Sequence, residues 1–336
     1  MNSFGENLKI TISGELSSPC VLVTLDGLPA GLPLDWAKAW RDALRRAPSA
    51  AEGGERASES VPALICGMRD GATSGGPVSA LLRTEEDAPR VGSIPRPGHE
   101  DLAALSKYGA SDFSGGAYSG RLDTALAFAG ALCVQLLRRR NIQLETKVVA
   151  IGGAEGDEQD FDLKKQLLDA RGTGDSMGGV VECRAAGLPS GLGSPAFGGL
   201  ESRISALLFA IPGIKGVEFG LGFGFAAMRG SAANDQIILE DKHIIPETNN
   251  SGGVDVGIST GAPLTVRAAL RPTPSVGREQ RSVDTDTLEA VTLRQRGRHE
   301  PCMAPRCIPA VEGAVAICIV DAMMDPDLKR RGKEWK

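Results

Sequence analysis

Aromatic residues make up only 4% of this 336-residue chain. The core must therefore be aliphatic, and stacking of nucleobases on exposed rings is not an expected mode of action. The net charge is −5 and no strongly basic block interrupts the body of the chain, so nucleic acid is not an expected partner. No apolar run approaches the ~20 residues that span a bilayer, and no membrane partner is expected. Met1 to Glu6 is polar and lacks the basic segment and apolar run of a secretory leader. Cysteine is sparse and scattered: seven residues, no CxxC pair, with Cys302 and Cys307 the closest two. These read as reduced, mostly buried thiols of a cytoplasmic protein, with no metal site.

Hydrophobic residues, at 42%, are enough for a sizeable core, and the length allows one large domain or two ordinary ones. Glycine is abundant, with 43 residues against an average usage of ~7%. It falls in short clusters such as Gly115-Gly116, Gly178-Gly179 and Gly252-Gly253, which suit tight turns or backbone lying close to a ligand.

The densest chemistry lies in Arg96-Pro97-Gly98-His99-Glu100-Asp101, followed by Lys107-Tyr108-Gly109. Pro97-Gly98 dictates a turn, since Pro fixes φ and Gly accepts conformations other residues avoid. Such a turn can present Arg96, whose planar fork fits a carboxylate or phosphate, beside His99, which moves protons near neutral pH. A second stretch, Gly297-Arg298-His299-Glu300-Pro301, repeats the combination roughly 200 residues later. A compact fold can bring the two together; surface turns with solvated charges are the plainer alternative.

Along the chain, Leu8 to Ser13 and Val21 to Leu25 read as strands, and a helix capped by Asp35 runs to about Arg46. Arg45 and Arg46 in its last turn suit the helix dipole or an anion clamp. Residues 47 to 60 read as a mobile loop. Strands are expected at Val61 to Cys66, Val78 to Leu82, Val148 to Ile151, Val180 to Arg184, Val217 to Phe219 and Leu264 to Leu270. Helices are expected at Asp123 to Arg140, Phe161 to Arg171, Leu200 to Ile211 and Ala310 to Met324. Gly220 to Asn234 and Thr248 to Gly261 read as Gly-containing loops. His243 carries no motif and reads as a non-functional exposed or half-buried histidine. The elements alternate without the strict βαβ rhythm of a dinucleotide fold, favouring one mixed α/β sandwich over residues 1–324 with a charged tail at 325–336.

The ordered set of motifs resembles chorismate synthase. It comprises Asn2-Ser3-Phe4-Gly5, Gly14-Glu15, Asp26-Gly27-Leu28-Pro29-Ala30-Gly31, the Arg96 and Lys107 runs, and Asp175-Ser176-Met177-Gly178-Gly179. It continues through Gly191-Leu192-Gly193, Ile211-Pro212-Gly213-Ile214-Lys215-Gly216-Val217-Glu218, Gly230-Ser231, Asn234-Asp235, Gly297-Arg298-His299-Glu300-Pro301-Cys302 and Pro305-Arg306. All occur in family order. The resemblance implies a β-α-β sandwich and a homotetramer acting on a small anionic substrate. It implies the anti-1,4-elimination of phosphate from 5-enolpyruvylshikimate 3-phosphate to give chorismate, with reduced FMN as cofactor and NADP in the same context. On the matched positions, it makes His99, Glu300 and Ser17 the catalytic set and Arg46, Arg96, Lys107 and Arg298 the substrate-binding set. Ser119, Pro212, Gly213, Arg271, Thr273 and Ser275 become flavin contacts.

The departures from the family pattern cluster at the chemistry. The family's Gly-Glu-Ser-His-Gly is here Gly14-Glu15-Leu16-Ser17-Ser18, so Ser17 stands where a histidine protonates the departing phosphate. The family's Arg-Gly-Gly-Gly-Arg-Ser-Ser-Ala-Arg-Glu-Thr is here Ser114-Gly115-Gly116-Ala117-Tyr118-Ser119-Gly120-Arg121-Leu122-Asp123-Thr124. Arg271 replaces a lysine, and Glu300 an aspartate. A catalytically impaired paralogue kept for binding or assembly, or a flavin enzyme on a related substrate, are the alternatives these changes raise.

Overall fold

A computed structural model describes residues 2–15, 18–46, 61–83, 92–109, 122–156, 161–240, 243–295 and 299–326. The loop expected over 47–60 and all of the tail beyond 326 lie outside them. Two five-stranded antiparallel sheets enclose a layer of helices. The first runs in the order Ser3–Phe4, Lys9–Ser13, Cys20–Asp26, Val78–Arg83, Ala63–Cys66. The second runs Ile214–Phe219, Leu264–Leu270, Gly179–Ala186, Gln143–Ile151, Ala154–Glu155. The mixed α/β sandwich expected from the sequence is the fold observed.

Strand alternation explains the layering. Val21, Val23 and Leu25 on one strand, and Val78, Ala80 and Leu82 on its neighbour, are buried while the residues between them face outward. In the second sheet Leu264, Val266, Ala268 and Leu270 form the buried row, beside Val181, Cys183 and Ala185. Between the sheets lie two helices buried almost all round, Asp123–Arg138 and Ala304–Met323. A helix apolar on every face belongs in a core. They meet at Gly130 and Gly313: a Cβ added to Gly130 would stand 2.0 Å from the Gly313 Cα. Phe128 carries the sparse aromatic packing, edge-on to Trp36 with ring centroids 4.8 Å apart.

The helix expected from Asp35 is there. The Lys38 amide donates to Asp35 Oδ1 at 2.8 Å, and Trp36–Ala43 continues into a 3₁₀ turn, Leu44–Arg46. Arg45 reaches the buried Glu312 at 3.1 Å. The last long helix begins at Ala304, six residues before the expected start, with Pro309 inside it. Pro removes one intrahelical bond, but burial of the whole helix outweighs that loss. Several hairpins and short helices were not foreseen. Ile237–Glu240 pairs with His243–Pro246, Val254–Asp255 with Ile258–Ser259, and Glu279–Val283 with Ala290–Arg294. The Gly220 to Asn234 segment is not a plain loop, since it contains a 3₁₀ helix, Gly222–Ala227, and a short helix, Gly230–Ala233. Asp101–Tyr108 is helical, closed by Gly109 in the left-handed conformation at φ 72°.

The first and last parts of the chain are tied at one carboxylate. Asp321, 0% exposed, accepts from the amides of Asn7 at 2.7 Å and Leu8 at 2.8 Å through Oδ1, and from Glu6 at 3.1 Å through Oδ2. Arg203 donates to the same carboxylate.

Candidate functional site

The Pro-Gly turn puts Gly98 at φ +74° and carries the chain into the Asp101–Tyr108 helix. Arg96 closes that turn on itself. Its Nε and Nη2 reach the two oxygens of Asp101 at 2.8 and 2.7 Å, and its amide donates to Asp101 at 2.7 Å. Asp101 is 1% exposed, so this bidentate pair is buried and well formed. Glu100 stands 3.8 Å from Arg96 Nη2, and burial raises its carboxyl above the usual range.

His99 is positioned from both sides. Nδ1 lies 3.3 Å from the Pro97 carbonyl and Nε2 lies 3.0 Å from Ser275 Oγ. Burial, and next the Arg96 guanidinium, hold the imidazole below its ordinary pKa of 6.5. Arg271 fastens the same turn: its side chain donates to the Gly98 carbonyl and its amide to the Gly213 carbonyl at 2.9 Å. A Cβ on Gly98 would stand 2.8 Å from Arg271 Nη2 and 3.2 Å from Pro274 Cβ, so the turn approaches this segment as only Gly permits.

Two further segments close on residues 271–278. Ser176 Oγ donates to the Thr273 carbonyl at 2.7 Å, and the Met177 amide to the Pro301 carbonyl at 2.7 Å. His299 packs against Gly277, where an added Cβ would meet its ring at 3.4 Å, and its Nε2 lies 3.2 Å from the Gln295 carbonyl. Glu300 accepts from Arg306 Nη1 at 2.6 Å. The two histidine stretches of the sequence therefore converge on one segment, His99 through Ser275 and His299 through Gly277.

Among the sequence-predicted residues, the fold gathers His99, Arg96, Arg271, Thr273, Ser275 and Gly213, with Glu300 reached through Pro301. Lys107 does not join them. It is exposed on its helix, its Nζ 5.3 Å from the Tyr108 ring centre. Ser17, Ser119 and Arg298 lie outside the described residues, as does the side chain of Arg46. Pro212 precedes Gly213 in the turn after the Leu200–Phe209 helix. Sequence reasoning gave no role to Ser176 or Met303, whose Cε would sit 3.3 Å from a Cβ on Gly213. It also missed that Asp101 is the buried partner of Arg96; the five-residue spacing across a Pro-Gly turn was the available signal.

Three buried polar atoms here have no hydrogen-bond partner among the described residues: Thr273 Oγ1, Gln295 Nε2 and Arg306 Nε. Buried polar groups are normally satisfied, so a hydroxyl and two donors left open beside His99 and His299 suit a ligand rich in acceptors. A separate open cavity of ≈ 440 Å³ lies along Ile214–Phe219, bounded by Glu201, Glu218, Asp255 and Phe223. None of the predicted site residues lines it. No group of three or more His, Cys, Asp or Glu among the described residues could hold a metal ion.

Comparison with known proteins gives one consistent answer. The family model described as chorismate synthase matches residues 8–324. A chorismate synthase of Thermococcus kodakarensis is 38% identical, the alignment covering 98% of each chain. That of Korarchaeum cryptofilum is 37% identical over 96% of this chain and 97% of its own. A crystal structure of chorismate synthase superposes with a TM-score of 0.77 at 26% identity, covering 98% of this chain and 94% of that one.

Proposed function

The chain belongs to the chorismate synthase family, and from that premise we propose that it eliminates phosphate from 5-enolpyruvylshikimate 3-phosphate to form chorismate. The observation that carries this reading is the convergence of both histidine stretches on residues 271–278, with open polar atoms at the junction.

Reduced FMN is the cofactor this site would take, held by Arg271, Thr273 and Ser275 with the Pro212-Gly213 turn. The fit rests on Thr273 Oγ1, a buried hydroxyl without a partner among the described residues, and on the Arg271 guanidinium two residues before it. Bound there, reduced flavin would supply transient electron density for the elimination, with no net redox change. The protein's own part is electrostatic and protonic. The substrate carries two carboxylates and a phosphate, which must be matched by cations as water leaves. Arg298 and Arg46 supply them in this reading. Arg96 contributes through a guanidinium already aligned by Asp101, which costs little reorganisation as charge develops. His99, neutral near pH 7, is the group that accepts and returns a proton at Nε2. Glu300, steadied by Arg306, holds a carboxylate at the position where the family has aspartate. Ser17 is a poor acid, so the leaving phosphate relies on arginine rather than on a proton.

The deciding experiment is anaerobic phosphate release from 5-enolpyruvylshikimate 3-phosphate with chemically reduced FMN. Release at a rate that saturates with substrate is the expected result. FMN binding without release would sink this reading in favour of a flavin enzyme on a related substrate; neither binding nor release would leave a scaffold.

A further inference from the structure

The hydrogen bonds of His99 define which of its nitrogens carries the hydrogen. Nδ1 faces the Pro97 carbonyl at 3.3 Å, and a carbonyl oxygen only accepts. The hydrogen of the neutral ring therefore belongs on Nδ1. That leaves Nε2 as a bare lone pair, and what faces it at 3.0 Å is the hydroxyl of Ser275, which can donate. The opposite tautomer would set the Nδ1 lone pair against the Pro97 oxygen lone pairs, two acceptors with no hydrogen between them. Ser275 is itself fixed by its segment, which Arg271 ties to Gly98 and Gly213, and Ser176 ties at Thr273.

We propose that Ser275 is a positioning residue for His99, donating to Nε2 so that the ring is held with its hydrogen on Nδ1 and its lone pair on Nε2, facing the Ser275 hydroxyl. This rests on the reading of His99 as the proton-handling group and adds a task to the flavin contact that the resemblance suggests for Ser275. The consequence for the chemistry is directional. A proton taken up by His99 lands on Nε2, while Nδ1–H stays on Pro97 and keeps the ring plane fixed. On protonation Ser275 turns its own hydrogen away and accepts instead, so the ring is held in both states. The charged groups around it pull in both directions: Arg96 and Arg271 disfavour the imidazolium, and Asp101 favours it.

The chain has three histidines, His99, His243 and His299, so ring nitrogen signals can be assigned one by one. The test uses full-length protein carrying ¹⁵N-histidine, without cofactor, at pH 8, with His99 assigned by loss of its signals in H99Q. Two-bond ¹⁵N–¹H correlation is expected to show His99 as the Nδ1–H form. In S275A that form gives way to a mixture with the Nε2–H form, and S275T restores it. In turnover, S275A is expected to lower kcat by about tenfold or more, short of the ~10²–10⁴-fold of removing an acid–base group. A wild-type His99 found as the Nε2–H form overturns the proposal, and needs no variant to fold. So does an S275A spectrum that matches wild type. Because the tautomer is read without substrate, it stands or falls separately from phosphate release.

Discussion

At the residue scale, His99 sets the pH behaviour. Its folded pKa is depressed, so between that value and 6.5 the unfolded chain binds the proton that the folded chain refuses. Stability is therefore fully present above pH 6.5 and falls as pH drops through that window. H99Q should lack this component, and a comparison of its melting temperature with wild type from pH 8 to pH 5 checks the sign. The same variant should cost about 10²–10⁴-fold in turnover. Thiols make a second prediction. Cys66 is exposed and Cys20 half-buried, while the other five are buried. Burial pushes Cys302 up to about 11 and Cys318 to about 12. A thiolate is the reactive form, so Ellman's reagent should titrate Cys66 quickly in native protein, Cys20 more slowly, and the remaining five only in denaturant. Fast native reaction of more than two thiols would show the core to be looser than described.

At the scale of elements, small residues and one carboxylate hold the layers together. G130A would drive a methyl into the backbone of the facing helix. Overpacking of this kind typically costs about 1–3 kcal/mol, and here the obstacle is backbone, which cannot swing aside. Chemical denaturation should place G130A at the upper end of that range or beyond. D321A would leave three amides and the Arg203 guanidinium facing a void. Breaking a buried charge pair costs about 3–5 kcal/mol, read as a lowered denaturation midpoint. Sequence patterns revealed some of this architecture and concealed the rest for physical reasons. Leu264–Leu270 was legible residue for residue because its buried row alternates without a break. Glu279–Val283 and Ala290–Arg294 were not, because neither strand buries a row of side chains and so neither writes an apolar alternation. The Asp101–Tyr108 helix escaped because its residues are mostly exposed and its start lies inside a turn motif. In the site, Pro97-Gly98 announced its turn locally. The pairing of His99 with Ser275, 176 residues apart, left no local trace and was approached only through family resemblance.

At the scale of the whole molecule, the chain leaves a conspicuous apolar surface open. Ile237 is 77% exposed, Leu239 74% and Ile244 78%, all on one two-stranded hairpin. An isolated hairpin is marginal in water, and exposed apolar patches of this kind mark contact surfaces. The homotetramer that the family resemblance implies would supply a cover for it. Sedimentation equilibrium should give four times the 35.0 kDa chain mass, and L239E/I244E should lower it. An unchanged mass in that variant would remove the hairpin from the assembly.

The Asp321 clamp also has a consequence in time. Leu8 and its acceptor are 313 residues apart, and a ribosome adds about 5–20 residues per second. The link from Ser3–Phe4 to Lys9–Ser13 is thus synthesised about 15–60 s before the carboxylate that anchors it. For that interval the amides of Glu6, Asn7 and Leu8 lack the carboxylate that satisfies them in the folded protein, and the turn they form must be held by the local pairing of Ser3–Phe4 with Lys9–Ser13 and Cys20–Asp26 alone.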